Sequence, residues 1–307
     1  MSMLAWVLLV VVVAALLLFD LKAVGRGKPA PSLREAALWS AAWTALAVAF
    51  TGVLVAFADG DAAGEYVTGF LIEKSLSLDN LFVFAVLLAY FGVPAASQRR
   101  VLVWGIAGAI VLRAIFVLVG AAALDAFHAT IYVFGGLLVL TAINLARQGD
   151  DEIDVEHTRM MRLLRRAVPI GAYDGERFVT RERGRRVATP LLACLAMVAA
   201  FDVLFAIDSV PAIFAVSRDT FVVFAANAFS LLGMTSLYFL LRGMMDRFHY
   251  LNYGLAVILA FVGVKMLLSD VWHMPTWLSL AVIVGCLAAA VGASVLRPAE
   301  RAELEPA

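Results

Sequence analysis

The chain is short of charge. Lys, Arg, Asp and Glu together make up 16% of its 307 residues, against about 25% in soluble globular domains. Too few ionic side chains remain to cover a water-facing surface, and 63% of the residues are hydrophobic, with a mean hydropathy of +0.93. An excess of either sign is also missing. The 24 basic residues balance the 24 acidic ones, which removes the electrostatic case for a nucleic-acid partner. The only two cysteines, Cys194 and Cys286, lie in apolar runs and give no disulfide framework. No apolar run carries a paired-histidine or cysteine motif, so a site for copper or zinc is not expected. His128 and His273 fall near outer span ends and His157 and His249 on the cytoplasmic side, where an interfacial role is expected. A Ser/His/Asp set, an HExxH motif and a glycine-rich phosphate loop are all lacking, so neither an enzyme nor a permanently bound cofactor is expected.

Long apolar runs are what the chain has in abundance. Nine spans can be drawn, at about 3–21, 35–58, 67–92, 100–124, 128–147, 189–216, 220–241, 249–269 and 276–296. Most approach the ~20 residues that cross a hydrocarbon core of about 30 Å. Backbone polar groups in lipid must be satisfied within the segment, so each span is expected to be helical. The fold class is therefore all-α: a polytopic membrane protein forming one transmembrane domain over 1–307, with the lipid bilayer as its solvent. The first run, Met3 to Leu18, lacks a basic leader and a cleavage site and reads as a retained helix rather than a signal peptide.

Lys and Arg fix the expected orientation. Twenty of them fall on one side of these spans: after span one, in the turn after span three (Arg99, Arg100), in segment 147–187, after span seven and in the tail. Arg218 stands alone on the other side. The positive-inside rule then puts the N-terminus outside and the C-terminus in the cytoplasm, with the inner (plasma) membrane as the location. Segment 148–187, the sizeable extramembrane piece, reads as an acidic patch (Asp150 to Glu156), a short amphipathic helix (MMRLLRRAV) and a polar return. A solvated connector is its expected role, with a metal-sensing acidic patch or a membrane-surface helix as the alternative.

Against this background, four carboxylates inside spans stand out. Glu73 and Asp79 lie in FLIEKSLSLDNLFVFAVLL, and Asp202 and Asp208 in ACLAMVAAFDVLFAIDSVPAIFAV. An acid at membrane depth is costly and marks a functional site by default. In both segments the second acid follows the first by six residues and is itself followed by a small polar side chain, Asn80 or Ser209. On the topology above the two copies cross in opposite senses. Spans three to five (67–147) and six to eight (189–269) then form an inverted repeat, joined by 148–187 and followed by a last helix at 276–296. Transporters built this way hold their ion near the midplane where the repeats meet.

Six residues of regular helix rise about 9 Å and turn well off the first face, so one pair cannot clamp one ion without local unwinding. Either the helices break, or one acid from each repeat meets the other. Pro211 favours a kink after Asp208, and Ser75 and Ser77 could re-satisfy freed backbone groups. The arrangement favoured is Asp79 with Asp208 at the centre, supported by Asn80 and Ser209, with Glu73 and Asp202 as a neighbouring station. Carboxylate, amide and hydroxyl oxygens are hard donors that suit Mn²⁺, Ca²⁺ or Mg²⁺. Three bases share the spans, Lys74, Arg113 and Lys265, and are expected as charge partners of the acids. Crowded acids hold protons that a bound divalent ion expels, which points to exchange of metal for protons.

The two acidic motifs, Glu73-Lys-Ser-Leu-Ser-Leu-Asp-Asn-Leu-Phe-Val-Phe84 and Phe201-Asp-Val-Leu-Phe-Ala-Ile-Asp-Ser-Val-Pro-Ala-Ile-Phe-Ala215, resemble those of the TerC family of integral membrane proteins. Stretch 93–113, Asn227, Leu232-Gly233, Tyr238-Phe239 and Gly263-Val-Lys-Met266 continue the likeness over nearly the whole chain. Members are associated with tellurite resistance, and one branch with manganese export. The resemblance implies efflux of Mn²⁺ from the cytoplasm, with Glu73, Asp79, Asp202 and Asp208 as the matching functional acids. Tellurite is an anion, and four acids make a poor anion site. Beside the exporter stands a second reading, a membrane scaffold that hands metal to secreted proteins and would associate with secretion machinery. A homo-oligomer is compatible with either.

Overall fold

The structure, a computed structural model, describes residues 2–23, 31–58, 60–127, 129–148, 161–164, 169–175, 177–182, 185–241, 251–268, 271 and 276–296. The histidines named above, the acidic stretch 150–156 and most of MMRLLRRAV lie outside them, as does the side chain of Asp79.

The apolar runs fold as helices: α1 (Met3–Ala23), α2 (Leu33–Phe57), α3 (Gly60–Tyr90), α4 (Ala95–Ala126), α5 (Thr130–Gln148), α6 (Pro190–Phe214), α7 (Thr220–Leu231), α8 (Met234–Leu241), α9 (Leu251–Leu267) and α10 (Thr276–Leu296). Their ends follow local chemistry. A capping box opens α2, with Ser32 Oγ accepting from Glu35 N and the Glu35 carboxylate accepting from Ser32 N. Pro190 starts α6 in the first turn, where no backbone donor is missed. Asp219 caps α7 by accepting from Phe221 N at 2.8 Å.

By length and apolarity α1, α2, α4, α6 and α10 can each cross a bilayer, and α7 with α8 makes a sixth crossing if the bent pair is one span. Shorter apolar stretches occupy α5 (Thr130–Asn144) and α9 (Ala256–Leu267). The helix α3, 31 residues long, carries the polar run from Glu73 to Asn80 without interruption.

The kink expected at Pro211 is not where the chain breaks. Pro211 lies within α6, four residues before its C-cap at Ala215, and forfeits only the bond its missing N–H would make in that last turn. The break falls instead between α7 and α8, which are bent by 43°. Gly233 supplies it with φ +77°, and the Trp43 indole of α2 packs where a Cβ would stand.

Helices α3, α4, α6 and α7 make the interior. Packing pairs α3 with α6, α4 with α7, and α5 with α9; α3 also meets α7 and α9, while α6 meets α4 and α5. Exchanging α3, α4 and α5 for α6, α7 and α9 maps these contacts onto one another. Gly135 and Gly263 bring α5 and α9 together, each placing its missing Cβ 3.0 Å from the other's carbonyl oxygen, the close backbone approach that small residues allow between membrane helices. Helices α1 and α2 lie outside this bundle, with Val7, Val11 and Phe57 exposed.

Three basic segments gather at one end. Arg99 at the start of α4 donates to the Asp20 carbonyl at the end of α1 at 2.8 Å. Tyr173 donates to the Phe91 carbonyl in the α3–α4 turn at 2.6 Å, and Arg100 lies over the Phe178 ring at 5.2 Å. Thr189, just before α6, donates to the Arg177 and Phe178 carbonyls. The helix α6 thus starts at the end where α3 finishes, and the two run in opposite senses. In the connector the polar return is a hairpin of β1 (Val179–Glu182) and β2 (Arg185–Ala188), antiparallel with Glu182 opposite Arg185, which periodicity did not indicate.

Candidate functional site

Two hydroxyls on α3 find their partners on their own helix. Thr68 Oγ1 and Ser75 Oγ donate back to the Gly64 and Leu71 carbonyls at 2.8 and 2.6 Å, satisfying themselves on their own helix. Glu73 is then carried inward, fully buried, to face Arg113 of α4, with which it forms an ion pair. Asp202 of α6, 1% exposed, approaches the same guanidinium at 3.5 Å. Asn227 of α7 accepts from Arg113 Nη1 at 3.0 Å. Asn80, about two helical turns beyond Glu73, accepts from Arg113 Nη2 at 3.2 Å and donates to the Leu76 carbonyl at 3.1 Å in the amide orientation that satisfies both atoms. One arginine therefore ties together α3, α4, α6 and α7, and the cluster of Glu73, Asp202 and Arg113 sums to one negative charge.

Asp208 is separate from this cluster. It is half-buried on the α5 side of α6, where Thr141 Oγ1 donates to its Oδ1 at 2.8 Å. Six residues of helix, about 9 Å of rise, set it apart from Asp202, and no base pairs with it among the described residues. Ser209 is buried, and its hydroxyl has no partner among them; the same is true of Ser77 and of Asp202 Oδ2. Asp79 lies on α3 between Glu73 and the helix end. Among the described residues no three carboxylate, imidazole or thiol groups converge.

The other two bases have distinct surroundings. Lys74 Nζ donates to the Ser230 carbonyl at 3.0 Å, at the last turn of α7 before the break. There it caps a backbone oxygen that the interrupted helix cannot satisfy. Lys265 of α9 interacts with the charge of Glu65 on α3. So Arg113 pairs with two of the four motif acids, while Lys74 takes a carbonyl and Lys265 lies within reach of the charge of an acid outside the motif.

Asn227, Thr141, Glu65 and Asp20 do not figure among the site residues read from the sequence. Asp20, 2% exposed beside Arg99, had a signal, since it lies inside the first apolar run. Asn227 had one too, as a lone amide between Phe221 and Phe229. A membrane threonine such as Thr141 bonds its own backbone so often that it carries no signal.

Helices long and apolar enough to cross a bilayer, packed around a buried cluster of charged side chains, define a polytopic membrane protein. The Integral membrane protein TerC family matches residues 57–302, and the chain belongs to it, as the acidic motifs implied. An uncharacterised membrane protein of Myxococcus xanthus is 46% identical over 294 residues, covering 95% of this chain and 92% of its own. In Escherichia coli K12, a protein named as a candidate membrane-bound redox modulator, Alx, is 43% identical over 294 residues, covering 92% of each chain. A membrane protein of Mycobacterium bovis is 42% identical over 273 residues, covering 87% of this chain and 69% of its own. No solved structure matches the chain.

Proposed function

We propose that the chain is an inner-membrane transporter that exports a divalent metal ion, Mn²⁺ first, in exchange for protons, with its N-terminus outside and its C-terminus in the cytoplasm. The observation that carries this reading is the meeting of Glu73 and Asp202. They come from two oppositely directed helices and share one buried base, which leaves a net negative charge in the membrane interior. Such a site attracts a cation, and its oxygen donors favour a hard one. Asp208, which no base among the described residues pairs with, is a second carboxylate that could take an ion, and Asp79 is its counterpart on α3, beside Asn80 as Ser209 is beside Asp208. The exchange-symmetric packing of α3–α5 with α6–α9 supports an inverted repeat, the frame on which one site can face either side in turn. The gathering of the basic segments at one end supports the orientation.

A redox role, suggested by the name that the Alx relatives carry, would run through Cys194 and Cys286. These are free thiols on different helices, α6 and α10, so the ionic cluster favours ion handling. Binding of Mn²⁺ to the purified protein, followed by calorimetry with wild type, Glu73→Gln and Asp202→Asn, tests the site. Saturable binding lost in both variants supports it; binding that survives in both moves the ion elsewhere.

A further inference from the structure

Arg113 has more formal negative charge facing it than one guanidinium balances. One carboxylate would balance one guanidinium; here two face it, and two amide oxygens, Asn80 Oδ1 at 3.2 Å and Asn227 Oδ1 at 3.0 Å, face it as well. The surplus has a physical cost. Asp202 keeps one oxygen, Oδ2, buried with no partner among the described residues, and an uncompensated charge in a low-dielectric interior is among the least favourable features a membrane protein can retain. The arrangement makes sense if the same four acceptors serve two states.

We propose that Arg113 is a tethered competitor of the transported ion. Its guanidinium occupies the place between Glu73 and Asp202 that a divalent cation takes during transport, and Asn80 and Asn227 are the neutral acceptors that hold it once the ion arrives. This rests on the transporter reading above. With Arg113 seated on the acids, the cluster carries one negative charge; with the ion seated and Arg113 on the amides, it carries one positive charge. Without the arginine the two states would be doubly negative and neutral, and the ion would be held too firmly to leave. Transport needs binding strong enough to load and weak enough to unload, and a tethered cation sets that balance. Arg113 suits the task because its planar fork presents five donors, enough to face two carboxylates and two amides at once and to keep the amides when the ion takes the carboxylates. The four acceptors come from α3, α6 and α7, so the swing of one side chain reports ion occupancy to both halves of the bundle.

The test is Mn²⁺ binding and Mn²⁺ flux by the full-length protein in lipid, comparing wild type with Arg113→Gln, Asn227→Ala and Asp202→Asn. Removing the competitor in Arg113→Gln should tighten Mn²⁺ binding by about tenfold or more while flux falls by a similar factor. Removing one neutral acceptor in Asn227→Ala should weaken binding, because the arginine then has less to hold it off the acids. Opposite signs in the two variants support the proposal. Unchanged or weaker binding in a folded Arg113→Gln overturns it. If that variant does not fold, Asn227→Ala decides: weakened binding supports the proposal, and unchanged binding overturns it. Wild type that binds and carries Mn²⁺, lost in Asp202→Asn but indifferent to Arg113 and Asn227, sinks the tether and leaves the transporter. Wild type that neither binds nor carries the ion overturns both.

Discussion

Lys74 shows how far one residue can be read without its partners. In sequence it stands beside Glu73 and invites an ion pair; in the structure its ammonium group serves the Ser230 carbonyl, 156 positions away. Lys74→Met keeps the length of the side chain and leaves that carbonyl buried without a donor, which should cost about 1–3 kcal/mol. Thermal unfolding in detergent would show it as a lowered midpoint; an unchanged midpoint would mean the bond contributes nothing. The four motif acids were legible because a carboxylate in an apolar run has no cheaper explanation. Their partners were not. Arg113 and Asn227 lie 114 positions apart, Thr141 and Asp208 lie 67 apart, and nothing in local sequence encodes which helix will face which. The expected pairing of Asp79 with Asp208 concerns a side chain outside the described residues. What the structure does bring together is Glu73 with Asp202, the pair assigned to a neighbouring station.

Among the helices, α7 and α8 separate two kinds of breaker. Span 220–241 reads as one uninterrupted run and contains no proline. Pro211, the visible breaker, sits near a helix end and leaves that helix uninterrupted. Gly233 bends the chain because its positive φ is needed and because Trp43 fills the space a side chain would take, 2.5 Å from the Cβ position. Gly233→Ala should therefore destabilise the protein by about 1–3 kcal/mol through backbone strain alone, with the clash added. Pairing it with Trp43→Ala should recover the part due to the clash and leave the strain. No recovery in the double variant would show that Trp43 does not govern the bend. The helical character of the apolar runs was legible; their number as crossings was not, since five helices among the described residues, or six with the bent pair, are long and apolar enough to span, and α3 starts at Gly60, seven residues before the run drawn for it. The hairpin 179–188 was not, since four-residue strands in a polar connector leave no periodic trace.

For the whole molecule, charge and packing point the same way. The ends rich in Lys and Arg meet through Arg99, Arg100, Tyr173 and Thr189, and Arg218 lies at the opposite end of α6. With Cys194 and Cys286 replaced by alanine, a cysteine at position 218 should react with an impermeant maleimide added outside intact cells. One at position 180 should react only after the membrane is opened. The reverse pattern would invert the topology and turn export into uptake. Helical class and polytopy followed from composition alone. The packing of α3, α4 and α5 against α6, α7 and α9 required the structure, because the two halves share acid spacing and little else.

The most direct test of the central claim is Mn²⁺ flux in proteoliposomes, wild type beside Glu73→Gln and Asp202→Asn, with and without a pH gradient. Exchange at buried carboxylates predicts wild-type flux that a proton gradient accelerates when directed against the ion's path, and loss of flux in both variants. Flux that persists in both, or none in well-folded wild type, would contradict it.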